Sequence, residues 1–122
     1  TDQMGVVYHS NYFRYFEIGW TELLRALGIS YKEMEEKYNI MLPVKEAFAD
    51  YKISIRYDEI IVVYTSIEKL KNVSLKLKYE IRSKENENII YSKGYTLHPF
   101  VNKRGEIVKP DENLYNIMSK GI

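Results

Sequence analysis

The chain has 122 residues, of which 45% are hydrophobic and 29% charged, with a formal net charge of +1 and no cysteine. That length and balance fit one globular domain with a single core, and the near-neutral charge gives no electrostatic case for binding nucleic acid. Without cysteine there are no disulfides, thiolate nucleophiles or cysteine-held metals, and no apolar run approaches the ~20 residues of a membrane-spanning helix.

The densest chemistry lies at the start. Asp2 precedes Gly5, then Val6-Val7-Tyr8-His9, then the aromatic run Tyr12, Phe13, Tyr15 and Phe16. A carboxylate therefore sits ahead of a glycine turn that feeds a helix. Helix N-termini carry partial positive charge and free N–H groups. Such an end can hold a developing oxyanion while a nearby carboxylate acts as base or nucleophile on the same carbon.

From Asn11 to Leu27 the residues Tyr12, Phe13, Phe16, Trp20, Leu23, Leu24 and Leu27 recur at helical spacing. The stripe is wide and aromatic, which predicts a largely buried helix with Phe16, Trp20, Leu23, Leu24 and Leu27 toward a sheet. Gly28 supplies a left-handed stop. Ser30 to Glu33 reads as a capping box for a short exposed helix, Tyr31 to Lys37, closed by Asn39.

After Ile40 the pattern turns to strands. Met41 to Ile55 is read as one, with Pro43 marking an edge or a strand start. Ile60 to Leu70 follows. Val73 to Ile81 alternates, with Val73, Leu75, Leu77, Tyr79 and Ile81 on one side and Ser74, Lys76, Lys78 and Glu80 on the other. Ile89 to Val101 is the fourth. Arg56 to Glu59, Lys71-Asn72, Ser83 to Asn88 and Lys103 to Gly105 read as turns, and Asp111 to Met118 as a terminal helix. One buried helix and a run of hairpins make an α+β domain over residues 1–122.

The stretch Asp2-Gln3-Met4-Gly5-Val6-Val7-Tyr8-His9-Ser10-Asn11-Tyr12 resembles the signature of hotdog-fold acyl-CoA thioesterases of the 4-hydroxybenzoyl-CoA thioesterase-like group. Weaker matches follow at Phe16-Glu17, Leu23 to Gly28, Arg56 to Glu59, Val73-Ser74 and Gly94 to His98. The resemblance implies the hotdog fold, an antiparallel sheet wrapped around one long central helix, with a further strand expected before Thr1. It implies hydrolysis of an acyl-CoA to a carboxylic acid and free coenzyme A, with no cofactor, in a cytoplasmic homodimer or homotetramer. Asp2 and His9 become the catalytic candidates and Tyr8 and Asn11 the substrate-binding ones, with the N–H groups of Tyr8 and His9 aimed at the oxyanion. Asp2 as nucleophile and Asp2 as general base both stay open. The rival readings are a hydratase or dehydratase on the same scaffold and a non-catalytic acyl-CoA-binding domain.

Other polar residues carry plainer readings. His9 and His98 have no metal-ligand spacing, and His98 reads as structural. Glu17, inside the aromatic helix, reads as a buried acid or a salt-bridge partner with a structural role. The lysines at 69, 71, 76 and 78 read as a solvated strand face, while Arg56, in a turn, or a nearby lysine is a candidate contact for a coenzyme A phosphate.

Overall fold

The computed structural model describes residues 9–52 and 60–122, with their side chains except those of residues 9–13 and 51. Helix α1 spans His9–Ala26, so it opens two residues before the start read from the apolar spacing. It ends as the sequence predicts. Gly28 takes φ +97°, and its N–H bonds the Arg25 carbonyl while the Ile29 N–H bonds that of Leu24. Ile29 and Leu24 are both buried, which completes this hydrogen-bonded helix ending with its apolar contact. Helix α2 is Tyr31–Tyr38, capped by the Ser30 hydroxyl, which accepts from the Glu33 N–H at 3.0 Å, and closed by Asn39 at φ +54°.

Four antiparallel strands follow: β1 Glu46–Tyr51, β2 Ile61–Leu70, β3 Ser74–Ser83 and β4 Ile90–Pro99. They form one sheet in the order β1-β4-β3-β2. The turns at Lys71-Asn72 and Ser83 to Asn88 join β2 to β3 and β3 to β4 as expected, whereas Arg56 to Glu59 lies outside the described residues. The strand read over Met41 to Ile55 is shorter than expected. Met41 makes only an isolated bridge to Val101, and regular pairing begins at Glu46. Pro43 lacks an N–H for a ladder. The backbone of Leu42 is bonded elsewhere, its N–H to the Tyr31 hydroxyl at 3.3 Å and its carbonyl to the His98 ring at 3.0 Å.

The alternation in β3 is borne out from Leu75 onward. Leu75, Leu77, Tyr79 and Ile81 are buried on one face, while Val73 lies before the strand and is exposed. That face carries α1. Phe16 stacks on Tyr79 with ring centroids 4.3 Å apart and an interplanar angle of 12°. Leu24 is buried, and Trp20, Leu23 and Leu27 pack against the same core at partial exposure. Helix α3, Glu112–Ser119, is capped by the Asp111 carboxylate and adds Leu114 and Met118 to the core.

Close approach of helix and sheet needs two glycines. A β-carbon on Gly94 of β4 would lie 2.3 Å from the Phe48 carbonyl oxygen and 2.6 Å from the Phe16 ring. One on Gly19 of α1 would lie 2.2 Å from the Thr65 hydroxyl. Gly94→Ala is therefore expected to force backbone or ring movement at a cost of about 1–3 kcal/mol. In thermal denaturation this should appear as a Tm lower by roughly 5–10 °C. An unchanged Tm would contradict the seating of Phe16 on Gly94.

Candidate active site

The residues picked from the sequence meet the structure unevenly. Asp2 and Tyr8 lie outside the described residues. His9 is the first residue of α1 and Asn11 falls in its first turn, with the side chains of both outside the description. The first turn of α1 holds no acidic residue. Its orphan N–H groups and the helix dipole thus have no acid in that turn to offset them.

Beside this helix runs a groove of about 530 Å³, between α1 and the segment that leads into β1. Trp20, Leu42, Pro43, Val44, Ala47 and Thr96 give it mostly apolar walls. Arg14 and Glu17, both exposed, line it as well. Glu17 is therefore not the buried acid that the aromatic helix suggested. It follows Phe16 directly, and the 100° step between neighbours in a helix turns it away from the sheet.

Behind the groove lies a buried polar row. The inward positions of β4 are Ser92, Gly94, Thr96 and His98, and all three polar side chains are buried. His98 is fully buried. Its Nδ1 is 3.0 Å from the Leu42 carbonyl oxygen and its Nε2 is 2.7 Å from the Thr96 hydroxyl. Thr96 is in turn 2.7 Å from the Tyr79 hydroxyl.

The proton positions follow from the partners. A carbonyl only accepts, so Nδ1 carries the hydrogen. Burial holds the His98 pKa below its ordinary value, against a smaller upward pull from the Leu42 and Pro43 carbonyls, so the ring is neutral and Nε2 accepts. Thr96 must then donate to His98, and Tyr79 must donate to Thr96. Burial also pushes the Tyr79 phenol up, which keeps it a donor. His98 is structural, as its lack of ligand spacing predicted. What the sequence reading missed is the company it keeps. The signal was available in the period-two polar residues Ser92, Thr96 and His98, set opposite an apolar β3.

The lysines read as a solvated face are borne out. Lys76 pairs with Glu68 at 3.1 Å and lies over the Tyr95 ring at 4.3 Å on the outer side of the sheet. Among the described residues no group of three or more histidines or carboxylates is placed to hold a metal ion, and no helix is long and apolar enough to cross a membrane.

A long helix laid on one face of an antiparallel sheet, opening beside a groove, defines a hotdog-fold protein. The family model described as the thioesterase superfamily matches residues 4–90, and the chain belongs to that family. A provisionally named esterase of Aquifex aeolicus is 32% identical over 118 residues, 97% of this chain and 88% of that protein. A provisionally named acyl-CoA thioesterase of Bacillus subtilis is 39% identical over 71% of this chain, and there the match spans 62% of the relative's length. The crystal structure of a DHNA-CoA thioesterase from Staphylococcus aureus superposes with a TM-score of 0.82 at 32% identity, covering 98% of this chain and 81% of that one.

The neutral His98 makes stability depend on pH. Its folded pKa lies below the unfolded value of about 6.5, so the unfolded chain takes up this proton first as pH falls. The contribution is complete above about pH 6.5 and is lost progressively below it, until folded His98 also protonates. Urea titrations of the wild type and His98→Gln should show this directly. The wild type's stability relative to the variant should shrink between pH 7.5 and pH 5, whereas a constant difference would mean His98 is not held neutral.

Proposed function

We propose that this chain hydrolyses acyl-CoA thioesters to a carboxylic acid and free coenzyme A, with Asp2 as the reacting carboxylate. The observation that carries this reading is the opening of α1 at His9, directly after the Asp2-to-Tyr8 stretch, in a member of the thioesterase superfamily. A thioester carbonyl at that helix end meets free N–H groups, those of Tyr8 and His9 being our candidates, as its oxygen gains charge. Asn11, in the first turn, is a candidate contact to the substrate. Asp2 either attacks the carbonyl carbon or takes a proton from water. The first route expels the coenzyme A thiolate and leaves a mixed anhydride that water opens. In the second, hydroxide adds directly and the thiolate leaves from the tetrahedral intermediate. The acyl group would run along the groove lined by Trp20, Leu42, Ala47 and Thr96.

The site would be completed by a second copy of the chain, in a homodimer or a homotetramer. Ile18 on α1, Val44 before β1, Phe48 on β1 and Ile60 before β2 are all at least half exposed, which leaves apolar surface for a partner to cover. Acyl-CoA substrates and a cysteine-free chain accord with a cytoplasmic setting.

Thiol release from a panel of acyl-CoAs, run beside hydration of crotonyl-CoA, tests the activity. Hydration without thiol release would favour a hydratase, and binding without either would favour a non-catalytic domain. Asp2→Asn should lower turnover by ~10²-fold or more with little change in substrate binding, because a positioned base or nucleophile contributes on that scale. His9→Ala should cost less, since the backbone N–H assigned to the oxyanion survives it. Near-full activity in a folded Asp2→Asn enzyme would overturn the assignment and make Glu17 or a residue of the partner copy the leading candidate. Light scattering should return a mass of at least two chains at micromolar concentration, and a stable monomer would count against the shared site.

A further inference from the structure

Three of the residues that wall the groove converge on one buried side chain. Leu42 accepts from His98 Nδ1, Thr96 donates to His98 Nε2, and the half-buried Trp20 ring lies 5.6 Å from the imidazole. Each comes from a different part of the fold: the segment before β1, strand β4 and helix α1. Leu42 is held from its other side too, by the Tyr31 hydroxyl, and the Tyr31 ring meets Trp20 edge-on at 5.3 Å. The groove's inner wall is thus tied to a single imidazole that is itself fully buried.

The same bonds set the polarity of that wall. The one hydroxyl proton of Thr96 goes to Nε2, and its oxygen already accepts from Tyr79. Thr96 therefore lines the groove with no hydrogen left to donate. A ketone carbonyl on the acyl chain, which can only accept, would lose water there and gain no donor from Thr96 in return.

We propose that His98 is a positioning residue for acyl selection: by taking the Thr96 proton and holding Leu42, it keeps the groove wall closed and without a donor and selects unsubstituted acyl groups over those that carry a ketone. This rests on the reading above, in which the acyl group occupies the groove.

The test is a substrate comparison with the full-length chain. Steady-state kinetics are measured for an alkanoyl-CoA and the (ω−1)-oxoalkanoyl-CoA of equal length, over several lengths. The wild type should prefer the alkanoyl member by ~10-fold or more in kcat/KM. His98→Leu frees the Thr96 hydroxyl, and the preference should fall below ~3-fold, with the change in KM and not in kcat. His98→Gln, which keeps an acceptor and a donor, should restore it. Adding Thr96→Val to His98→Leu should also restore it, because the freed hydroxyl is gone. A general loss of structure would move neither rescue. If His98→Leu does not fold, His98→Asn carries the same comparison, since its amide is long enough for the Nδ1 position and too short for the Nε2 position.

An unaltered preference in a folded His98→Leu or His98→Asn enzyme overturns the proposal. So does a double variant that behaves like His98→Leu alone, or a wild type that hydrolyses both substrates equally well. These outcomes leave the thioesterase reading standing. A wild type that hydrolyses no acyl-CoA removes that reading and this one together.

Discussion

The seating of Phe16 on Gly94 is the contact on which the rest of the molecule depends. The ring lies flat on Tyr79 of β3 and occupies the space a side chain at position 94 would take. A second close approach, Gly19 against Thr65 of β2, holds the helix a turn further on. Two contact points fix a rod in height and in direction. With α1 fixed, its N-terminal end and the groove along its flank have set positions relative to one another. The aromatic stripe thus acts as more than buried area, because it sets where the chemistry of the helix end meets the apolar channel.

The sheet under this helix is not uniform. Strand β3 offers it Leu75, Leu77, Tyr79 and Ile81, whereas its neighbour β4 offers Ser92, Gly94, Thr96 and His98. Polar side chains on a buried face are costly unless they are bonded. Thr96 and His98 meet that condition through each other, Tyr79 and the backbone of Leu42. The same bonds divert Leu42 from strand pairing, so a local departure from the ladder and a buried polar cluster have one cause.

Much of the fold was legible because its signals are local. The φ-positive stop at Gly28, the Ser30 cap, the alternation of β3 and the length of α1 all come from neighbouring residues, and all are found as read within a residue or two. The break at 42–45 was not legible beyond the hint of Pro43, since its cause is a side chain 56 positions away. Glu17 kept two readings for a related reason, a buried acid or a salt-bridge partner, and its exposure removes the first. An acid in an aromatic run looks buried until the direction of its own turn is known. The candidate site is legible only in part. The Asp2-to-Tyr8 stretch speaks through its resemblance, and the groove comes from residues spread between Arg14 and Thr96 that no spacing connects.

The chain of bonds from Tyr79 through Thr96 and His98 to Leu42 runs one way. Reversing it would need a hydrogen on the Leu42 carbonyl, so no second arrangement of equal energy exists. A ring of hydroxyls can circulate its hydrogens, and a histidine between two carboxylates can pass a proton across. This row can do neither, because it ends on an oxygen that holds no proton of its own. A histidine, a threonine and a tyrosine in contact invite the idea of a relay. Here they make a dead end for protons, and a dead end keeps its shape whatever chemistry happens nearby.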